Sequence, residues 1–112
     1  MLITTILLAA MAPASTAQVD TTRAAFTKCM RDDMRKSLEA KMGDAEYEMA
    51  VKSTCSEQRD AFRAAVVAFG RAAGDSQKNA EEDADMQIED YNANFTDKFK
   101  DYSSSNTMPG SD

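Results

Sequence analysis

The chain has 112 residues, and its 19 Asp and Glu against 13 Lys and Arg give a net charge of −6. It contains no histidine, which excludes Ser-His-Asp and Cys-His catalysis and removes the commonest zinc and copper ligand. An acidic protein repels nucleic acid phosphates, so we expect no nucleic-acid partner.

The first residues have the pattern of a secretory signal peptide. Residues 2–12 are almost all apolar, a run too short to span a bilayer as a helix. Pro13 ends the run, and Ser15-Thr16-Ala17 supplies the small residues that signal peptidase requires, although no Lys or Arg precedes the apolar stretch. We therefore predict a signal peptide over 1–17, with an uncleaved anchor as the alternative. The mature chain is predicted to be extracytoplasmic (periplasmic or secreted), without an integral membrane span.

The rest of the chain has the composition of helices. Ala, Glu, Lys, Arg, Met and Gln dominate it, and no sustained polar–apolar alternation indicates a strand. We predict a helical domain over 18–102, in which Gly43 takes the left-handed position after the first helix and Gly74 ends the second. The predicted helices are about 20–42, 44–73 and 75–102.

Short connections make sequential helices antiparallel neighbours. The predicted fold class is therefore all-α, a small up-down-up three-helix bundle with one disulfide, and the alternative is an elongated helical hairpin plus a third helix. Residues 103–112 are low in hydrophobicity and are predicted to be a disordered tail.

Apolar stripes on these helices indicate which faces form the core. In the second and third helices the stripe positions alternate between spacings of three and four, as in coiled coils. The second-helix stripe is Tyr47, Val51, Cys55, Gln58, Phe62, Ala65, Val66 and Phe69. The third-helix stripe is Ala84, Ile88, Tyr91, Phe95, Phe99 and Tyr102. In the first helix Met34, Leu38 and Met42 rotate away from the face of Phe26 and Met30, so this half either meets a second neighbour or packs poorly.

Cys29 and Cys55 are predicted to form an intramolecular disulfide. Exported proteins fold in oxidising compartments, where an even number of cysteines usually pairs. The midpoint of the two positions is residue 42, beside the turn at Gly43, so the cysteines lie at the same level of the hairpin. Mid-helix cysteines 26 positions apart do not resemble a reactive Cys-X-X-Cys pair, and two thiols fall short of four zinc ligands. An intermolecular disulfide is the remaining alternative.

The methionine spacing and an acidic run each allow a structural and a functional interpretation. Met30, Met34 and Met42 recur at multiples of four, with Met49 beyond the turn, and thioethers either fill core gaps, bind Cu(I) or contact several partners. The run EEDADMQIED over 81–90 lies near a helix N-terminus, where the dipole favours acids, and calcium binding is the alternative. We favour packing and a solvated helix face, and therefore assign no metal ligand and no cofactor.

The function predicted by elimination is protein binding. No catalytic constellation is present, so we assign no catalytic residue and expect a non-enzymatic protein that binds another protein. The predicted binding surface is Met34, Leu38, Met42 and Met49. The overall plan is similar to that of small periplasmic acid-stress chaperones, a resemblance of architecture without a shared motif, which implies an extracytoplasmic chaperone or stress protein. Metal handling and a structural subunit of an envelope complex are the alternatives.

Overall fold

The computed structural model describes residues 15–110, and this part of the chain is helical without a strand. The elements in chain order are α1 (Thr16–Glu39), α2 (Asp44–Ala50), α3 (Ser56–Ala72) and α4 (Gln77–Ser105). Helix α1 packs against both α3 and α4, and α2 packs against α4. The predicted small all-α bundle with a Cys29–Cys55 disulfide is confirmed.

Helix α1 begins earlier and ends earlier than predicted. The Ser15 hydroxyl accepts a hydrogen bond from the Gln18 backbone N–H at 3.4 Å, which places the N-cap five residues before the predicted start. At the other end Lys41, not Gly43, takes the left-handed conformation (φ 55°), and Gly43 is extended and precedes α2. Apart from residues 15–17, the predicted signal peptide lies outside the described residues.

The prediction of one continuous helix over 44–73 is wrong, because the chain leaves helical geometry between α2 and α3. Cys55 adopts the left-handed conformation (φ 58°, ψ 38°), which a residue with a Cβ seldom takes. Within residues 15–110 there are therefore four helices instead of three, with α2 and α3 in series replacing the predicted second helix.

Polar side chains satisfy the backbone at this break. The Ala50 carbonyl accepts hydrogen bonds from the hydroxyls of Ser53 and Thr54, at 3.2 and 3.0 Å. The Arg59 guanidinium donates to the Lys52 carbonyl at 2.7 Å. Because hydroxyl side chains compete with the helix for backbone groups, the segment favours a turn over a continued helix.

Two aromatic clusters form the core on either side of the disulfide level. Phe26 of α1 stacks on Phe62 of α3 at 5.9 Å between ring centroids, and Tyr91 of α4 meets both rings edge-on. Tyr47 of α2 stacks on Phe99 of α4 at 4.1 Å. The apolar residues of the predicted stripes therefore pack in or against the core, except Phe69, which is 40% exposed, and Tyr47 remains in the core despite the break.

The connection between α3 and α4 is tight. Gly70 lies inside α3, where an added Cβ would come within 3.2 Å of the Ala80 Cβ, so glycine allows the two helices to approach. Gly74 takes a positive φ of 103° in the turn, and the Ser76 hydroxyl caps α4 by accepting from the Asn79 N–H at 3.1 Å. Helix α4 continues to Ser105, three residues into the segment predicted as tail.

Replacing both cysteines by serine should lower the free energy of unfolding by about 2–4 kcal/mol, because the disulfide closes a loop of about 27 residues in the unfolded chain. Chemical denaturation of both proteins measures the difference.

A second comparison tests the backbone at position 55. The pair Cys29→Ser with Cys55→Gly should be more stable than Cys29→Ser with Cys55→Ser by about 1 kcal/mol, since glycine adopts φ of 58° without a Cβ penalty. A more stable serine pair would contradict the left-handed geometry at this residue in the absence of the disulfide.

Candidate functional site

The predicted binding surface is only partly exposed. Met34 is 1% exposed and belongs to the core, so its assignment to a binding surface is wrong. Leu38 and Met42 are half-buried at the core edge, and Met49 is 76% exposed on α2. Because α1 packs against α3 and also against α4, its apolar positions need not share one narrow face, and Met34 remains covered.

Leu38 and Met42 line a groove at the end of the bundle, which we call the terminal groove. It has a volume of about 450 Å³, and its apolar lining is completed by Tyr102 and Met108. Met49 is not among its lining residues. The structure therefore joins two of the predicted surface residues to two others that lie more than 50 positions away in the sequence.

The C-terminal residues form one wall of the terminal groove. Asn106 takes the left-handed conformation after α4, and the Thr107 N–H donates to the Tyr102 carbonyl at 3.0 Å, which turns the chain back. The Arg35 guanidinium donates to the Gly110 carbonyl at 3.2 Å. Sequence reasoning missed this wall, although an Asn directly after a helix is a recognised left-handed cap.

A second groove of about 600 Å³ lies beside the disulfide, with both half-buried cysteines in its lining. Burial raises the pKa of the Asp33 carboxyl above its ordinary value, and a hydrogen bond from Thr54 opposes this rise. Asp32 is exposed, and its hydrogen bond with Lys28 lowers the pKa of its carboxyl. With both thiols held in the disulfide, the groove offers carboxylates and ammonium groups but no thiolate nucleophile.

The methionine and acidic patterns occupy different environments. Met30 and Met34 are each 1% exposed, so their thioethers fill the core. On α4, Asp85 accepts two hydrogen bonds from the Arg63 guanidinium, at 2.7 and 3.3 Å, which lowers the pKa of its carboxyl. Within residues 15–110, no group of three or more His, Cys, Asp or Glu is arranged to hold a metal ion.

Comparison with protein-family models, with curated proteins and with solved structures finds no match to this chain. Among the helices of residues 15–110, none combines the length and the apolar character that a membrane span needs. A disulfide is typical of proteins that fold in an oxidising compartment, and this feature agrees with an extracytoplasmic location.

One core side chain is incompletely satisfied. Tyr47 is 1% exposed, and its hydroxyl has no hydrogen-bond partner within the described residues. Burial raises the pKa of the Tyr47 phenol above its ordinary value of 10, and the Asp33 carboxylate raises it further. The buried hydroxyl is therefore a cost to the folded state, which removal of the oxygen would relieve.

We expect Tyr47→Phe to raise the free energy of unfolding at neutral pH by about 1 kcal/mol, because the stacked ring is kept and only the unpaired hydroxyl is lost. Tyr102→Phe, at a half-buried ring, should change it by less than about 0.5 kcal/mol. A clear loss of stability in Tyr47→Phe would mean that the hydroxyl has a partner.

The same variant should alter stability at alkaline pH. Above about pH 10 the unfolded chain releases the Tyr47 proton, whereas the folded protein retains it. The folded state is therefore not penalised by the titration of this group below about pH 10, and it loses stability as the pH rises further. Above about pH 10, the free energy of unfolding of the unmodified protein should fall with rising pH more steeply than that of Tyr47→Phe, by up to about 1.4 kcal/mol per pH unit. Denaturation at a series of pH values measures both slopes.

Proposed function

We propose that the chain is a small exported, non-enzymatic protein that acts by binding another protein through the terminal groove. An extracytoplasmic chaperone or stress protein is the specific form of this proposal. The observation that carries it is a groove of about 450 Å³ in which the apolar side chains of Leu38, Met42, Tyr102 and Met108 come together. The rest of the lining is polar: Glu39, Lys41, Ser103, Asn106 and Thr107. This volume is within the range of about 300–1,000 Å³ that is typical of small-ligand pockets, and it is large enough for one or two partner side chains.

The side chains of the terminal groove suit an adaptable binder. Met42 and Met108 are unbranched and have polarisable thioethers, so they can adjust to apolar side chains of different shapes. Met108 is 46% exposed and lies in the segment after α4, outside regular secondary structure. Such a surface supports binding to several unfolded clients better than recognition of one rigid ligand.

Export is supported by two independent features. The pattern over residues 2–17 is that of a signal peptide, and the disulfide between Cys29 and Cys55 is typical of oxidising compartments. A bundle of this size gains from such a covalent link, because its core is small.

The decisive measurement is suppression of client aggregation. Light scattering by heat-unfolded malate dehydrogenase would be followed at neutral and acidic pH, with increasing amounts of the purified protein. We expect Met42→Asp and Met108→Asp to raise the amount needed for half-suppression by about fivefold, because each replaces one of the four apolar side chains of the groove by a carboxylate.

Met86→Asp is the matched control, since Met86 is 61% exposed on α4 and does not line the terminal groove. It introduces the same charge and should leave suppression unchanged. Absence of suppression by the unmodified protein at every pH, or an equal loss in the control, would contradict the chaperone proposal. Pull-down with mass spectrometry then separates the alternatives, because a structural subunit would retain one stoichiometric partner instead of many clients.

A further inference from the structure

A separate cleft lies at the other end of the bundle, where the N-terminus of α1 meets the last turn of α3 and the first turns of α4. Its volume is about 370 Å³. Val19 lies 19 residues before Leu38 on α1, which separates this cleft from the terminal groove by about 28 Å at 1.5 Å per residue. The two cavities are therefore distinct sites.

The cleft has an apolar floor and an exposed aromatic ring. Val19 and Val66 are buried beneath it, and Phe69 remains 40% exposed although its stripe position predicted a core residue. Gly70 also lines the cleft, next to the close contact between α3 and α4. A partly exposed Phe over buried valines is a surface on which a second apolar side chain gains from burial.

The polar lining of the cleft is predominantly acidic. Asp20, Asp75 and Asp83 contribute carboxylates, whereas Arg23 contributes the one guanidinium of the lining. That guanidinium pairs with Asp20 at 3.1 Å, and its carbon atom lies 5.5 Å from the centre of the Phe62 ring. Asp83 accepts a hydrogen bond only from the neutral Gln87 amide, at 3.1 Å, among the contacts of the described residues. Asp83 is thus available to a cation from a partner.

We propose that this acidic cleft binds a cationic amphipathic segment of a partner protein, with an aliphatic or aromatic side chain against Phe69 and a Lys or Arg beside Asp83. Charge complementarity selects this occupant, since the lining would repel nucleic acid, anionic lipid and acidic peptides. A second copy docked through a two-fold axis would bring the same carboxylates together, which is unfavourable. The acidic cleft shares no lining residue with the terminal groove, so binding at one site does not require the other.

The predicted processing would leave most of the cleft in place, but cleavage after Ala17 would remove the Ser15 cap of α1 and leave an α-ammonium group on Gln18, beside Val19. Thr16 is its one lining residue that precedes the predicted cleavage position after Ala17. The apolar floor and the three carboxylates all belong to the predicted mature chain.

The test uses fluorescence anisotropy with a labelled helical peptide of about 14 residues built from Leu and Lys, which presents apolar and cationic side chains on opposite faces. The same peptide with Glu in place of Lys should not bind. Phe69→Ala should weaken binding about fivefold, and Asp83→Asn about two- to threefold. Raising the salt to about 1 M, where the Debye length is about 3 Å, should also weaken binding.

Matched control variants distinguish binding at the acidic cleft from nonspecific electrostatic attraction between the peptide and the acidic protein. Asp90→Asn removes one exposed carboxylate of α4 outside the cleft, and Met86→Ala truncates an exposed apolar side chain there. Both should leave the affinity within about 1.5-fold of the unmodified protein, as should Met108→Asp in the terminal groove. Equal losses in Asp83→Asn and Asp90→Asn, or full binding by Phe69→Ala, would overturn the proposal.

If Phe69→Ala is poorly folded, an NMR measurement on the unmodified protein tests binding at the same cleft. In the unmodified protein, the Leu and Lys peptide should shift the methyl NMR signals of Val19 and Val66 more than those of Val51, which lies outside the cleft. Shifts confined to other parts of the bundle would contradict binding at the acidic cleft.

Discussion

The disulfide between α1 and the start of α3 is the constraint on which the rest of the bundle depends. It ties Cys55 to the middle of α1, at the residue where the backbone takes its left-handed turn between α2 and α3. With that point held, α3 packs its aromatic residues against the first half of α1, and α2 directs Tyr47 onto Phe99 of α4. The disulfide thus fixes the position along the bundle where one aromatic cluster ends and the other begins.

The two ends of the bundle differ in chemistry because different helix termini meet there. At the terminal groove, the turn after α1 and the reversal at Asn106 bring apolar side chains together around Met42 and Met108. At the acidic cleft, the second turns of α1 and α4 supply Asp20 and Asp83, and Asp75 directly precedes the N-cap of α4, around an apolar floor. An acid beside a helix N-terminus is favoured by the dipole, so Asp75 both stabilises α4 and contributes to the negative charge of this end.

Much of the fold could be predicted from residue spacing, whereas the break and the grooves could not. The apolar stripes and the position of Cys29 opposite Cys55 depend only on helical periodicity and on the location of one turn. The break is not visible in the spacing, because the apolar stripe continues through it and only the hydroxyls of Ser53 and Thr54, which bind the Ala50 carbonyl, oppose a continuous helix. Met34 was misplaced because its cover comes from helices distant in sequence, and Met108 was missed because its groove depends on a chain reversal after α4.

Helix α4 extends through the whole bundle without interruption, and this continuity has a mechanical consequence. It carries Asp83 at one end and Tyr102 near the other, which are separated by about 28 Å along a single helix. A continuous helix packed along its length against three neighbours transmits position and orientation with little bending. Two molecules held at the opposite ends would therefore be kept at a constant separation, as by a rigid spacer, and not merely tethered to each other.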